Sequence, residues 1–379
     1  MKLDELRLKI NQCDDDIVKL YGERMALVKE VAEVKKSEGI PTENTEREKA
    51  IINRVTATLP DELKLYAKQV FETIFSTSKA YQTGIINTES PARKLIEEAL
   101  LNQEAFPISA TVACQGIAGA YSGIAAEKLF SIPNVMYFKD WNAVFEAVEK
   151  GLCAYGVLPI ENSTAGSVNK VYDLLQKHNS YIARCVKLRV SHALLAREGT
   201  TIKDIKEIVS HEQAINQCAS LIKSLGDVKI TRCDNTALAA KLVSERNEKG
   251  VACLSSRECA GIYGLKVLGT DVQDNGDNYT RFIAVTKRLK IFEGAKKISI
   301  LVSLPHETGS LNKLLNRFST LGLNLTKLES RPIGSSPFEF AFYFDFEADI
   351  RRQDVQNLIA ELDNRCDKFV FLGGYEEIQ

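Results

Sequence analysis

Gly156-Val157-Leu158-Pro159-Ile160-Glu161-Asn162-Ser163-Thr164-Ala165-Gly166 is the stretch on which the reading of this chain turns. An apolar run of strand type, Tyr155 to Ile160, ends abruptly in polar and small residues, and a helix-like segment follows from Ser167 to Lys177. At a strand end in an α/β sheet such a turn is where ligands bind, beside the backbone N–H groups of the next helix start. Ser, Thr and Asn also cap helices everywhere, so the stretch alone reads at least as readily as an ordinary N-cap turn. A second stretch tips the balance. Asn278-Tyr279-Thr280-Arg281-Phe282 enters another apolar strand, Ile283 to Val285, with a hydroxyl and a guanidinium at its mouth.

Around these two stretches lie 379 residues, too many for one ordinary core, which implies two or three domains. A formal charge of −1 gives no electrostatic pull toward nucleic acid or membrane. No apolar run approaches the ~20 residues of a membrane span, and the polar start from Lys2 onward is no secretory signal. The nine cysteines include no pair at two-residue spacing, and the four histidines are dispersed. The cysteines read as small core hydrophobes in a reducing cytoplasm, the histidines make no metal cluster, and neither metal nor cofactor is expected.

From Ile108 strands alternate with helices, the signature of an α/β domain. Ala110 to Cys114 reads as a strand, and Gly116 to Ser122 as a turn into a helix without the spacing of a dinucleotide fingerprint. Ile208-Val209-Ser210 ends a strand, after which a helix presents Gln213 and Gln217 four residues apart on one face. Asp234-Asn235-Thr236 and Ala252 to Ser256 make further turns before the chain returns through Asn278 to Phe282. Two α/β lobes with polar turns converging on a cleft follow from this pattern. The motifs, in this order, resemble those of the prephenate dehydratases over about residues 108 to 287. The resemblance implies a two-lobed domain at 108–288 that removes the ring hydroxyl of prephenate as carbon dioxide leaves. Thr280 would assist the departing hydroxyl, Asn162, Ser163, Ser210, Gln213 and Gln217 would position substrate, and Arg281 would hold a carboxylate. Glu161 reads as a substrate contact or as an ion-pair partner.

Upstream, Leu3, Leu6, Ile10, Cys13, Ile17, Leu20, Leu27, Val31 and Val34 fall on alternating three- and four-residue steps, a heptad seam on one long helix. Continuing Leu3, Ile10 and Ile17 by seven lands on Arg24, a cation that needs an anionic partner. Lys35 shares that face, while Arg7 lies about 100° away and would reach the pocket of a partner chain in a dimer. Two shorter helices follow, one after Pro41-Thr42 and one from Pro60 to about Gln82. The segment 3–82 resembles the all-helical chorismate mutases at Arg7, Arg24, Lys35, Arg47, Glu48, Ser78 and Gln82, with Asn44 where better-known relatives carry Asp. The resemblance implies that arginines hold chorismate folded while Lys35 and Gln82 donate to its ether oxygen.

Thr83 to Ser90 loses periodicity, and a short linker helix is expected within 89–107. Residues 296–379 read β-α-β-β-α-β, the ferredoxin-like α+β split motif, with a last strand at Phe369 to Leu372. Gly309-Ser310-Leu311 and Glu329-Ser330-Arg331-Pro332 resemble the amino-acid-binding loops of regulatory ACT domains, which implies L-phenylalanine as effector. A purely dimerising module is the alternative. The whole reads as a multidomain enzyme of phenylalanine biosynthesis: an all-α chorismate mutase at 1–88, the two-lobed dehydratase and the ACT domain, in a homodimer or higher homo-oligomer. Its rivals are a dehydratase whose helices only dimerise, and a non-catalytic sensor of aromatic metabolites.

Overall fold

Residues Leu3–Glu38 form a single helix, α1, followed by α2 (Thr45–Thr56), α3 (Asp61–Ile86) and α4 (Pro91–Leu101). The computed structural model describes residues 3–40, 44–86, 89–246, 248–307, 309–332 and 340–378. The Pro41-Thr42 start of the second helix lies outside the described residues. Along α1 the face packed on α3 is Tyr21, Arg24, Val28, Ala32 and Lys35: Tyr21 Oη donates to Thr77 Oγ1 at 3.0 Å, and Val28 and Ala32 are the buried residues. The heptad seam is a different matter. Leu3, Ile10, Ile17, Leu20 and Leu27 all remain exposed in the single chain, because α3 packs only along the second half of this helix, roughly 50 Å long, and there on the Val28–Ala32 face instead of the Leu27 face.

The middle of the chain runs β1 (Ser109–Gln115), α5 (Tyr121–Leu129), β2 (Ile132–Phe138), α6 (Trp141–Glu149), β3 (Tyr155–Asn162), β4 (Gly166–Ser167), α7 (Asn169–Lys177), β5 (Tyr181–Arg189) and β6 (Ala193–Ala196). It continues as β7 (Glu207–Ser210), α8 (Glu212–Gln217), α9 (Ala219–Ser224), β8 (Lys229–Arg232), α10 (Thr236–Glu245), β9 (Val251–Ser255), α11 (Glu258–Tyr263), β10 (Lys266–Gly269) and β11 (Tyr279–Thr286). These strands make two sheets. In one, β5-β11-β3-β1-β2 are neighbours, with β11 antiparallel to β3 and β5; in the other the order is β10-β6-β9-β7-β8. The central strands β3 and β9 read as continuous apolar runs because helices cover both faces.

Each lobe has its own core, one around Val112, Phe130, Val157 and Phe282, the other around Leu195, Val209, Ala240 and Cys253. The lobes meet closely at Gly119, whose carbonyl accepts from Ser256 Oγ at 3.0 Å. A Cβ there would lie 2.4 Å from Cys259 Sγ, at a φ of +86°. Gly119→Val is therefore expected to cost about 3 kcal/mol and to lower the melting midpoint of this unit by roughly 6–12 °C, measured by calorimetry.

The C-terminal elements are β12 (Lys297–Ser303), α12 (Ser310–Thr320), β13 (Asn324–Pro332), β14 (Phe340–Glu347), α13 (Gln353–Arg365) and β15 (Lys368–Ile378), in the β-α-β-β-α-β order read from the sequence. The sequence pattern reads a strand over Phe338 to Phe346, of which Phe338 and Glu339 lie outside the described residues. The described residues divide into two compact units, 3–98 with 300–371 and 99–299 with 372–378. In the first, α12 and α13 pack on α3, and Asp363 accepts the Ala92 N–H at 2.8 Å. In the second, β15 runs six residues beyond the expected Leu372 and pairs in parallel with β5 at Glu376 to Ile378. There Glu377 lies 2.8 Å from Lys187 and 2.7 Å from Lys297. Burial alone would push the Glu377 carboxyl up, but these two ammonium groups hold it below its usual value.

Candidate functional site

The organising stretch does not cap a helix. Asn162 ends β3, and its Oδ1 accepts the backbone N–H of Thr164 at 3.0 Å and of Ala165 at 2.8 Å, which closes a tight turn. Gly166, at φ +79°, turns the chain back so that Gly166-Ser167 pairs with Glu161 and Asn162. The helix then starts at Asn169, two residues later than read, with no side-chain cap.

This turn fixes a polar network. With Oδ1 of Asn162 held by two backbone donors, its Nδ2 must face the other way, donating to Asn278 Oδ1 at 2.7 Å and Thr280 Oγ1 at 2.8 Å. Asn278 Nδ2 then reaches Gln217 Oε1 at 3.3 Å, and the same oxygen lies 3.0 Å from His192 Nε2. Asn162, Asn278, Thr280 and His192 are all buried. A hydroxyl carries one hydrogen, and the Thr280 oxygen already receives one from Asn162, so the Thr280 O–H is left to donate. Among the described residues Thr280 has no acceptor for it, and Gln217 Nε2 is likewise a donor without a partner.

Of the residues expected at this site, Asn162, Gln217 and Thr280 come together. Ser163 lies beside them but uses its hydroxyl to clamp the return strand, donating to Asp277 O at 3.1 Å and accepting the Tyr279 N–H at 2.9 Å. Ser210 is fully buried and donates to Leu254 O at 2.7 Å, and Gln213 is exposed with only its backbone bonded, to His211 Nδ1. Arg281 corrects the sequence reading, and Glu161 takes the ion-pair alternative. They are paired across β11 and β3 one residue beyond Thr280 and Asn162, so their side chains leave from the opposite face of the sheet. There Arg281 Nε lies 3.6 Å from Glu161 and Nη1 3.9 Å from Glu377, away from Thr280. Two members of the network escaped sequence reasoning. Asn278 was visible in its motif without a role, and the only signal for His192 was a lone histidine before the apolar run Ala193-Leu194-Leu195.

The helical unit brings together a second set. Arg24 Nη1 donates to Ser78 Oγ, and its guanidinium lies 5.9 Å from the Phe75 ring centroid. Gln82 is buried on the same face of α3, and its Oε1 has no partner among the described residues. Burial, and then Arg47, push the Lys35 ammonium below its usual value, with Glu48 opposing, so these three groups stand near one another. Glu48 also pairs with Lys79 at 3.0 Å. An orphaned amide oxygen beside several cations is a donor and acceptor set that suits an anion carrying a hydroxyl. Asn44 departs from its expected role, because its Oδ1 caps α2 on the Arg47 N–H at 3.0 Å. Arg7 is exposed, 3.5 Å from Asp4, and about 25 Å of helix rise separates it from Arg24.

In the C-terminal elements Ser310 and Leu311 line a cavity of about 110 Å³ with His306, Glu307, Phe340 and Phe342. Gly309, at φ +86°, leads into α12 without a side-chain cap. Ser330 and Pro332 sit opposite Phe342 and Phe340 in the β13–β14 register, whereas Glu329 and Arg331 alternate to the other face, Glu329 pairing with Lys327 at 3.3 Å. Among the described residues no group of three His, Cys, Asp or Glu is placed to hold a metal, and no helix is long and apolar enough to cross a membrane.

A family model described as prephenate dehydratase matches residues 112–290, and one described as chorismate mutase type II matches 6–83. A bifunctional chorismate mutase/prephenate dehydratase of Aquifex aeolicus is 30% identical over 99% of this chain and 98% of its own length. An arogenate dehydratase/prephenate dehydratase of Arabidopsis thaliana is 40% identical over 70% of this chain and 72% of its own. The crystal structure of a prephenate dehydratase from Arthrobacter aurescens, in complex with L-Phe, superposes with a TM-score of 0.64 at 28% identity, over 70% of this chain and 90% of that one.

Proposed function

Since this chain belongs to the bifunctional chorismate mutase/prephenate dehydratase family, we propose how its own residues carry the two reactions and their control. The protein rearranges chorismate to prephenate and converts prephenate to phenylpyruvate in phenylalanine biosynthesis. The observation that supports the site assignment best is the polarity of the Asn162 network, which leaves the Thr280 hydroxyl as a donor. In dehydration the ring C–O bond breaks as the carboxylate leaves as carbon dioxide, and the poor leaving group sets the barrier. Thr280 donates a hydrogen bond to the departing oxygen while keeping its proton, and Gln217 Nε2 donates to a substrate carboxylate. Arg281 serves this site only from behind, by holding the strand that carries Thr280.

The mutase step needs neither nucleophile nor proton transfer. Arg24 and Arg47 hold the two carboxylates, Ser78 orients Arg24, Glu48 accepts the ring hydroxyl, and Lys35 with Gln82 Nε2 stabilises charge growing on the ether oxygen. Arg7 completes the pocket of a second copy, on which the exposed seam of α1 also packs, so the working unit is a dimer. Asn44 contributes by fixing the start of α2.

The C-terminal elements are a ferredoxin-like ACT domain that binds L-phenylalanine at the cavity beside Gly309, Ser310 and Leu311. The open α12 start receives the amino acid's carboxylate, and Phe340, Phe342 and Pro332 meet its ring. No added Cβ at Gly309 meets an atom within 4 Å, so the strain of Gly309→Val lies in its φ of +86°. That variant is expected to weaken phenylalanine binding about tenfold or more with dehydration retained, read by equilibrium dialysis beside the dehydratase assay. Truncation is the poorer test, because it also removes Leu372 to Ile378 from the dehydratase sheet. Feeding the purified protein chorismate and measuring phenylpyruvate tests the bifunctional reading as a whole; prephenate binding without turnover would leave only a sensor.

A further inference from the structure

We propose that His192, a residue of the connection between β5 and β6, is a positioning residue for dehydration that acts through Gln217. The proposal rests on the reading of Thr280 and Gln217 as the donors that meet prephenate.

The argument runs along one chain of hydrogen bonds from an end that cannot be flipped. Backbone N–H groups can only donate, so Asn162 Oδ1 and Nδ2 are assigned without ambiguity. That sets Asn278, whose Oδ1 must face Asn162, and hence Gln217, whose oxygen must face Asn278 Nδ2. A reversed Gln217 amide would set its Nε2 against the Asn278 N–H. The ring nitrogen 3.0 Å from Gln217 Oε1 is therefore a donor, which makes His192 the Nε2–H tautomer when neutral. Its Nδ1 is buried with no partner among the described residues, a place where a lone pair costs less than an unmet N–H. Burial also lowers the affinity of the ring for a second proton, with the Gln217 bond opposing.

The ring itself is held firmly. Its backbone N–H donates to Gln273 Oε1 at 2.9 Å, its carbonyl accepts the Val272 N–H at 3.0 Å, and the edge of Tyr121 packs on it at 6.2 Å. Gln217 Oε1 thus receives hydrogens from both sides, and its Nε2 is left directed away from them. Without the His192 donor, Gln217 keeps only the longer 3.3 Å bond to Asn278, and its amide group is free to swing from the pose that meets substrate.

The test has two arms on the full chain. Histidine-selective ¹⁵N labelling, without substrate, is expected to show one of the four histidines as a neutral Nε2–H tautomer, lost in His192→Phe; an Nδ1–H ring at that position would overturn the inference. In the dehydratase assay His192→Phe is expected to lower kcat/KM for prephenate roughly ten- to a hundredfold. His192→Gln, which keeps a donor, should recover most of it. In a Gln217→Ala background His192→Phe should cost nothing further, whereas a ring that merely supports the fold would cost the same in both backgrounds. Near-UV circular dichroism and the thermal melting transition monitor folding of the preparations, since His192 and the mutase residues lie in different compact units. A wild-type protein inert toward prephenate would sink the dehydratase reading itself, and the tautomer measurement would still stand alone.

Discussion

Fed with chorismate, the Thr280→Val protein is expected to accumulate prephenate and to form phenylpyruvate some 10²–10³ times more slowly than wild type. Valine keeps the shape of the side chain and its place in β11 but removes the donor aimed from the Asn162 network. It also takes from Asn162 Nδ2 its bond to the Thr280 oxygen, leaving that N–H the longer 3.2 Å bond to Tyr279 O, a cost that falls on stability as well as rate. Thr280→Ser separates the two effects, since it restores the hydroxyl. Recovery of turnover with serine, and not with valine, is the pattern that hydrogen-bond assistance requires. Equal loss in both would place the assisting group elsewhere.

The second large effect is expected at Arg24. Its replacement by alanine removes a half-buried guanidinium from the face between α1 and α3, and leaves Ser78 Oγ with its bonds to Ile74 O at 2.6 Å and Met25 Sδ at 3.6 Å. If it holds a chorismate carboxylate, the loss is about 3–4 kcal/mol of transition-state binding, or roughly 10²–10³ in mutase kcat/KM. Dehydration of prephenate supplied directly should stay within about twofold of wild type, because Arg24 and Thr280 belong to different compact units. Assaying each substrate separately checks this, and loss of both activities in a folded protein would contradict two independent sites. Arg24→Lys should recover little, since a single ammonium cannot make the paired contact of a guanidinium.

Much of this was legible in the chain itself. Strand-to-turn junctions at Asn162 and Thr280, the helical register that put Arg24 and Lys35 on one face, and the β-α-β-β-α-β order downstream all follow from local periodicity and turn chemistry. What local pattern could not decide was which neighbour each face would meet. Glu161 and Asn162 are adjacent in sequence, as are Thr280 and Arg281, yet only the antiparallel register of β3 with β11 sends one pair to the network and the other to Glu377. The packed stripe of α1 is Tyr21 to Lys35 because α3 crosses there, while the more regular seam stays exposed in the single chain. The last strand expected from the sequence, Phe369 to Leu372, stops just before Gly373-Gly374. In the fold Gly373 passes so close to β5 that an added Cβ would sit 2.2 Å from Ile182 O, so a glycine there lets the strand continue. His192 carried no motif at all, since its role depends on a hydrogen-bond direction inherited from two backbone amides some thirty residues away in the chain, and only folding brings those groups into one line.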